Sequence, residues 1–73
     1  MILKTTVNAK ELIKALKRLG FYLDRTKGDH YVLKKGIYLT QVPYHGSKTI
    51  PKGTLNLICR NAGITKKELM QYV

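Results

Sequence analysis

The sequence predicts an α+β domain in which one helix, three short antiparallel strands and a second helix follow in order, with a short extra helix at the end. Three observations carry this. An apolar stripe at helical spacing occupies residues 9–19 and is bounded by capping signals. Three segments with an apolar period near two follow, separated by glycine-containing breaks. Two further segments then show helix start and stop signals.

Residues 1–7 read as an extended arm with little fixed structure. The first helix begins at Asn8, an N-cap residue with Glu11 three positions on, the spacing of a capping box. Val7 and Leu12 stand where a hydrophobic staple would place them. Ala9, Leu12, Ile13, Leu16 and Leu19 form the apolar stripe, with Lys10, Lys14, Lys17 and Arg18 mostly on the other side. Gly20 ends the helix as its C′ residue.

The first strand is predicted over Phe21 to Arg25, with Phe21, Leu23 and Arg25 facing one way and Tyr22 and Asp24 the other. His30 to Lys34 alternates His30, Val32 and Lys34 against Tyr31 and Leu33. Ile37 to Val42 sets Ile37 and Leu39 against Tyr38, Thr40 and Val42. The breaks Lys27-Gly28-Asp29 and Lys35-Gly36 have hairpin length, so the strands form an antiparallel meander. Pro43 cannot donate to a ladder and should end the third strand.

Tyr44 to Lys52 is the longest loop. The second helix follows, with Pro51 or Gly53-Thr54 near its start and Gly63 as its stop. Thr65 and Glu68 form another capping box, with Ile64 and Leu69 as staple, opening a last helix over Lys66 to Tyr72. Two helices suffice to cover one face of the meander, and the other face is left to bind something.

At 73 residues the chain has room for one domain, spanning 1–73, and one small core. Folding at this length buries only about 60–65% of the surface of the unfolded chain. No apolar run approaches the roughly 18 residues of a membrane span. The opening Met1-Ile2-Leu3-Lys4 is too short for a signal-peptide core, so a cytoplasmic location without membrane association is expected. Cys59 lies on the helical face Leu55, Ile58, Cys59, Ala62 and reads as core.

The net charge of +10 is the strongest compositional signal. Residues 1–36 carry nine Lys/Arg against three acids, and 37–73 carry five against one, so the charge is not confined to a tail. Such a surface attracts polyanions, nucleic acid foremost, with an acidic protein or an anionic membrane as the alternative.

Most catalytic constellations are absent: the chain has no phosphate-binding glycine loop, no paired carboxylates at useful spacing and no nucleophile elbow. Two histidines with one core cysteine make no convincing metal site, so no metal or other cofactor is expected. Histidine acid–base chemistry on a polyanion remains. It suits RNA, whose 2′-hydroxyl is an internal nucleophile, so that the protein need only move protons and stabilise charge on the phosphorane. An imidazole titrating near neutrality contributes about 10²–10⁴-fold in rate this way. His30 stands between Lys27-Gly28 and Lys34-Lys35, and lysines aimed at phosphate oxygens stabilise developing charge. The alternative is that His30 is a surface histidine in a basic RNA-binding face. Lys52, near a helix N-terminus, is a further candidate substrate contact or simply a solvated lysine. Substrate contacts are therefore expected at Lys27, Gly28, Lys34, Lys35 and Lys52. His45 either contacts RNA or caps the following loop, with the structural role favoured. Tyr22, Tyr31, Tyr38 and Tyr44 could stack on bases, although sheet tyrosines are more often packing residues.

Five blocks, in order, resemble one known family. They are Leu16-x-x-Leu19-Gly20-Phe21, Lys27-Gly28-Asp29-His30-Tyr31, Val42-Pro43-Tyr44-His45, Pro51-Lys52-Gly53-Thr54-Leu55-x-x-Ile58 and Ala62-Gly63-Ile64. Together they resemble the HicA toxins, small mRNA interferases of toxin–antitoxin systems. Each block alone is weak; the ordered set is fairly specific and spans about residues 9–70. The resemblance implies a double-stranded-RNA-binding-domain-like fold, metal-independent mRNA cleavage and neutralisation by a HicB-type antitoxin. It also implies that His30 is the catalytic histidine. The departure is Asp29, where the family most often has serine. Both residues can hold a turn through backbone hydrogen bonds, but a carboxylate there repels an incoming phosphate. Two alternatives stand beside a ribonuclease toxin. One is a non-catalytic RNA-binding module of the same fold, or an inactive toxin relative. The other is an interaction protein whose basic surface docks an acidic partner.

Overall fold

The computed structural model describes residues 6–45 and 48–73. Its elements run α1 (Ala9–Arg18), β1 (Tyr22–Lys27), β2 (His30–Lys35), β3 (Tyr38–Pro43), α2 (Lys52–Ala62) and α3 (Lys66–Met70). This is the predicted α-β-β-β-α order with the short extra helix. The three strands form one antiparallel sheet in the order β1-β2-β3.

Local signals set the helix boundaries. The Asn8 side chain accepts from the Glu11 N–H at 2.8 Å, while Glu11 accepts from the Asn8 N–H at 3.1 Å, closing the capping box. Thr65 and Glu68 do the same for α3. That helix stops at Met70 rather than Tyr72, because the last N–H groups turn to carbonyls three residues back: Gln71 to Glu68 and Tyr72 to Leu69. The expected loose arm fares differently at its two ends. Residues 1–5 lie outside the described residues, whereas Val7 is buried and its carbonyl accepts from Ile50 N–H at 2.8 Å.

The helices cover one face of the sheet. Leu33 and Val42 on that face meet Leu12 and Leu16 of α1, Leu55 and Ile58 of α2, and Leu69 of α3 in one cluster. Each fully buried leucine contributes on the order of 1.5–3 kcal/mol. Thr40, the one buried polar residue among those described, donates its hydroxyl to the Ile58 carbonyl at 3.2 Å and ties β3 to α2. Cys59 is buried in this cluster as expected, and burial pushes its thiol pKa up, with the Lys66 charge partly offsetting it.

The strand boundaries shift in ways that matter for the opposite face. β1 runs on through Thr26 and Lys27, which pair with Tyr31 and His30, so the turn is the two residues Gly28-Asp29. β3 starts at Tyr38 and ends at Pro43, leaving Ile37 in the second turn and 92% exposed. Strict alternation also fails in β1. Leu23 pairs with Leu33 and Arg25 with Val32, so Asp24 has no partner and forms a bulge. Without that extra residue, Arg25 and Lys27 would share the helix-facing side with Leu23. The bulge turns both to the open face, where Lys27 sits directly across from His30.

Candidate active site

Paired residues on neighbouring strands point to the same side of a sheet, so the register determines which side chains the open face presents. β2 contributes His30 and Lys34, with Val32 between them on the same side but buried. β1 contributes Tyr22, Arg25 and Lys27, and β3 contributes Leu39, Gln41 and Pro43. His30 pairs with Lys27 on one side and Pro43 on the other, at the end of the sheet where β1 turns into β2.

The turn that delivers His30 is a tight one. Gly28 takes φ +62 at the first central position, the pattern of a II′ hairpin, and Asp29 follows with ordinary negative φ. The strand ending opposite adds a further link: Tyr44 N–H donates to the Asp29 carbonyl at 2.7 Å. This contact brings the next residue, His45, to the same corner.

Asp29 thereby stands between the two histidines. His30 Nδ1 lies 3.1 Å from Asp29 Oδ1, and His45 Nδ1 lies 3.6 Å from Asp29 Oδ2. All three side chains are about half exposed. With Nδ1 turned to the carboxylate, Nε2 is the nitrogen of His30 that faces away from it. A carboxylate that accepts a hydrogen bond from one imidazole nitrogen would fix the tautomer and orientation of the ring; here the two groups stand at ion-pair distance. From the sequence, Asp29 reads as a turn residue whose carboxylate would repel phosphate, and His45 as an RNA contact or, in preference, a loop cap. The proximity of His45 to Asp29 depends on β3 returning alongside β2, a contact across 16 positions that no local pattern signals.

The expected substrate contacts divide. Lys27 and Lys34 share the open face with His30, and among the described residues neither is engaged in an ion pair. Arg25, also on that face, pairs with its neighbour Asp24 at 2.9 Å. Lys35 does not join them. It follows Lys34 and so points to the other face, where its Nζ donates to the Leu19 carbonyl at 2.7 Å and lies 6.0 Å from the Phe21 ring centroid. Its role is to satisfy a carbonyl at the end of α1. Lys52 opens α2 but lines a separate groove with Thr49 and Lys66, away from His30. Of the four tyrosines considered for base stacking, Tyr31 and Tyr44 stack on each other with centroids 4.9 Å apart, partly buried against the core. Tyr22 and Tyr38 remain exposed.

What the arrangement can do follows from its parts. A half-exposed imidazole beside a carboxylate can move a proton. Cations on the same face can hold a phosphate against it, and a groove leads away from His30 between β3 and α2.

A comparison with curated proteins found no match. The family model described as the HicA toxin of bacterial toxin–antitoxin systems matches residues 9–64, from the first residue of α1 to just past the end of α2. That span takes in every strand, the His30 turn and both larger helices. The chain therefore belongs to the HicA toxin family.

Proposed function

We propose that this toxin is a metal-independent endoribonuclease that cleaves mRNA, with His30 as its general acid/base. The observation that carries the reading is the half-exposed His30 imidazole, set against Asp29 and directly across the strand from Lys27. His30 Nε2 takes the proton of the ribose 2′-hydroxyl as that oxygen attacks the adjacent phosphorus. The O2′–P bond forms and the P–O5′ bond breaks, and the departing 5′-oxygen takes a proton from water, His45 or a lysine. Lys27 and Lys34 bind the phosphate oxygens and stabilise the charge that builds on the phosphorane. Gly28 lets the turn bend tightly enough to present His30. The chain's partner in the cell is a HicB-type antitoxin, and the toxin works in the cytoplasm, where mRNA is found.

A second reading, an RNA-binding relative without activity, draws support from Asp29. Its carboxylate stands 3.1 Å from the His30 ring, on the Nδ1 side, and its negative charge repels any phosphate brought to that ring. Incubation with single-stranded RNA in EDTA separates the two readings. The nuclease reading predicts fragments ending in 2′,3′-cyclic phosphate and beginning with 5′-hydroxyl. Intact RNA, bound with an affinity that falls steeply as salt rises, would establish the second reading instead.

A further inference from the structure

The groove that starts at His30 has a composition unlike the rest of the basic surface. It encloses about 460 Å³. One wall is the open face of β3, where Leu39, Gln41 and Pro43 follow at alternate positions. The other is a stripe of α2 formed by Thr54, Leu57 and Asn61, with the buried Ile58 at its floor. These α2 residues stand at positions i, i+3 and i+7, beside the stripe that faces the core. On this side of α2 Leu57 is the apolar residue, set between the polar Thr54 and Asn61.

Leu39 is 42% exposed and Leu57 is 53% exposed. They give the groove two apolar sides a short distance from a proton-transfer group. Gln41 and Asn61 supply one amide to each wall, and an amide offers a donor and an acceptor side by side. No acidic residue lines the groove, and Lys27 and Lys34 lie on the same open face. Apolar sides, paired donor–acceptor groups and a cationic approach together match one ligand chemistry: a planar nucleobase attached to a phosphate backbone. Unpaired RNA bases are read through contacts of this kind to their faces and edges.

We infer that this groove is a base-binding subsite. It holds the unpaired base of a nucleotide next to the cleaved bond and thereby sets which bonds are cut. The inference rests on the RNA-cleaving reading of His30 and adds the residues that select the site: Leu39 and Leu57 sandwich the base, and Gln41 and Asn61 hydrogen-bond its edge. The side chains of Gln41 and Asn61 match the donor–acceptor pair on adenine.

A titration independent of catalysis tests this. Wild-type protein, with its methyl and side-chain amide NMR signals assigned, is titrated with adenosine 5′-monophosphate, uridine 5′-monophosphate and ribose 5-phosphate. None contains a phosphodiester to cleave. The subsite predicts shifts at Leu39, Leu57, Gln41 and Asn61 with the nucleotides, stronger for adenosine, and none at these residues with ribose 5-phosphate. A Gln41→Ala/Asn61→Ala double variant should weaken nucleotide binding about tenfold or more. Equal shifts with ribose 5-phosphate would reduce the groove to a phosphate contact and overturn the inference. Absence of shifts in the groove, as expected if it accepts an extended peptide instead, would overturn it equally. If the wild type failed to cut RNA while these shifts appeared, the nuclease reading would fall and the subsite would stand.

Discussion

The two hairpin turns of the sheet share a backbone and differ in what they carry. Both consist of a lysine, a glycine with φ near +60 and one further residue before the next strand: Lys27-Gly28-Asp29 at one end, Lys35-Gly36-Ile37 at the other. Neither glycine has a neighbour that a Cβ would strike, so each is required by its own torsion angle alone. The first turn delivers Lys27 to the open face and places Asp29 against two imidazoles. The second sends its lysine to the helix-covered face to satisfy the Leu19 carbonyl, and leaves Ile37 exposed. Turn chemistry therefore decides where the chain reverses. The side of the sheet on which each lysine emerges decides whether the turn belongs to a site.

Substitutions at matching positions of the two turns can break this comparison. Gly28→Ala and Gly36→Ala should each destabilise the fold by about 1–3 kcal/mol, the cost of a left-handed φ on a residue with a Cβ. Chemical denaturation measures both. Only Gly28→Ala should also slow RNA cleavage beyond what its loss of folded protein explains. Asp29→Ser keeps a residue able to hold the turn but removes the carboxylate from both histidines. It should lower the single-turnover cleavage rate by about tenfold, a fraction of what a general acid–base group supplies. A rate increase of about a hundredfold would show that phosphate repulsion outweighs the orienting contact. The lysines give the smallest effects and the sharpest contrast. Lys27→Ala should reduce the salt dependence of RNA binding by about 0.7 in slope, the value of one phosphate contact to a single strand, with stability unchanged. Lys35→Ala should leave that slope intact and destabilise the protein by about 1 kcal/mol, through the lost hydrogen bond at the end of α1.

Much of the fold was legible because it is written locally. Asn8 with Glu11 and Thr65 with Glu68 mark helix starts in the sequence and close the predicted capping boxes in the structure. Gly28 and Gly36 mark turns, and Pro43 ends the third strand as expected. The site was only half legible. His30 stands out by residue type, but the face on which its neighbours emerge depends on an inserted residue. Period-two alternation assigned Arg25 to the side of Leu23 and could not register that Asp24 bulges out of the ladder. The same alternation, which holds in β2, separates Lys35 from Lys34, so proximity in sequence overstated the number of lysines around His30. The approach of His45 to Asp29 is a product of strand return and has no local signature. The groove likewise needs β3 and α2 side by side before Gln41 and Asn61 line one cavity.

The central claim is that the His30 imidazole performs the chemistry of the open face. Its most direct test is the single-turnover cleavage rate of one single-stranded RNA in EDTA, for wild type and His30→Ala matched in circular dichroism and in RNA affinity. The account predicts a rate lower by about 10²–10⁴-fold in the variant, the contribution of a general acid–base group. Cleavage by His30→Ala at the wild-type rate would contradict it.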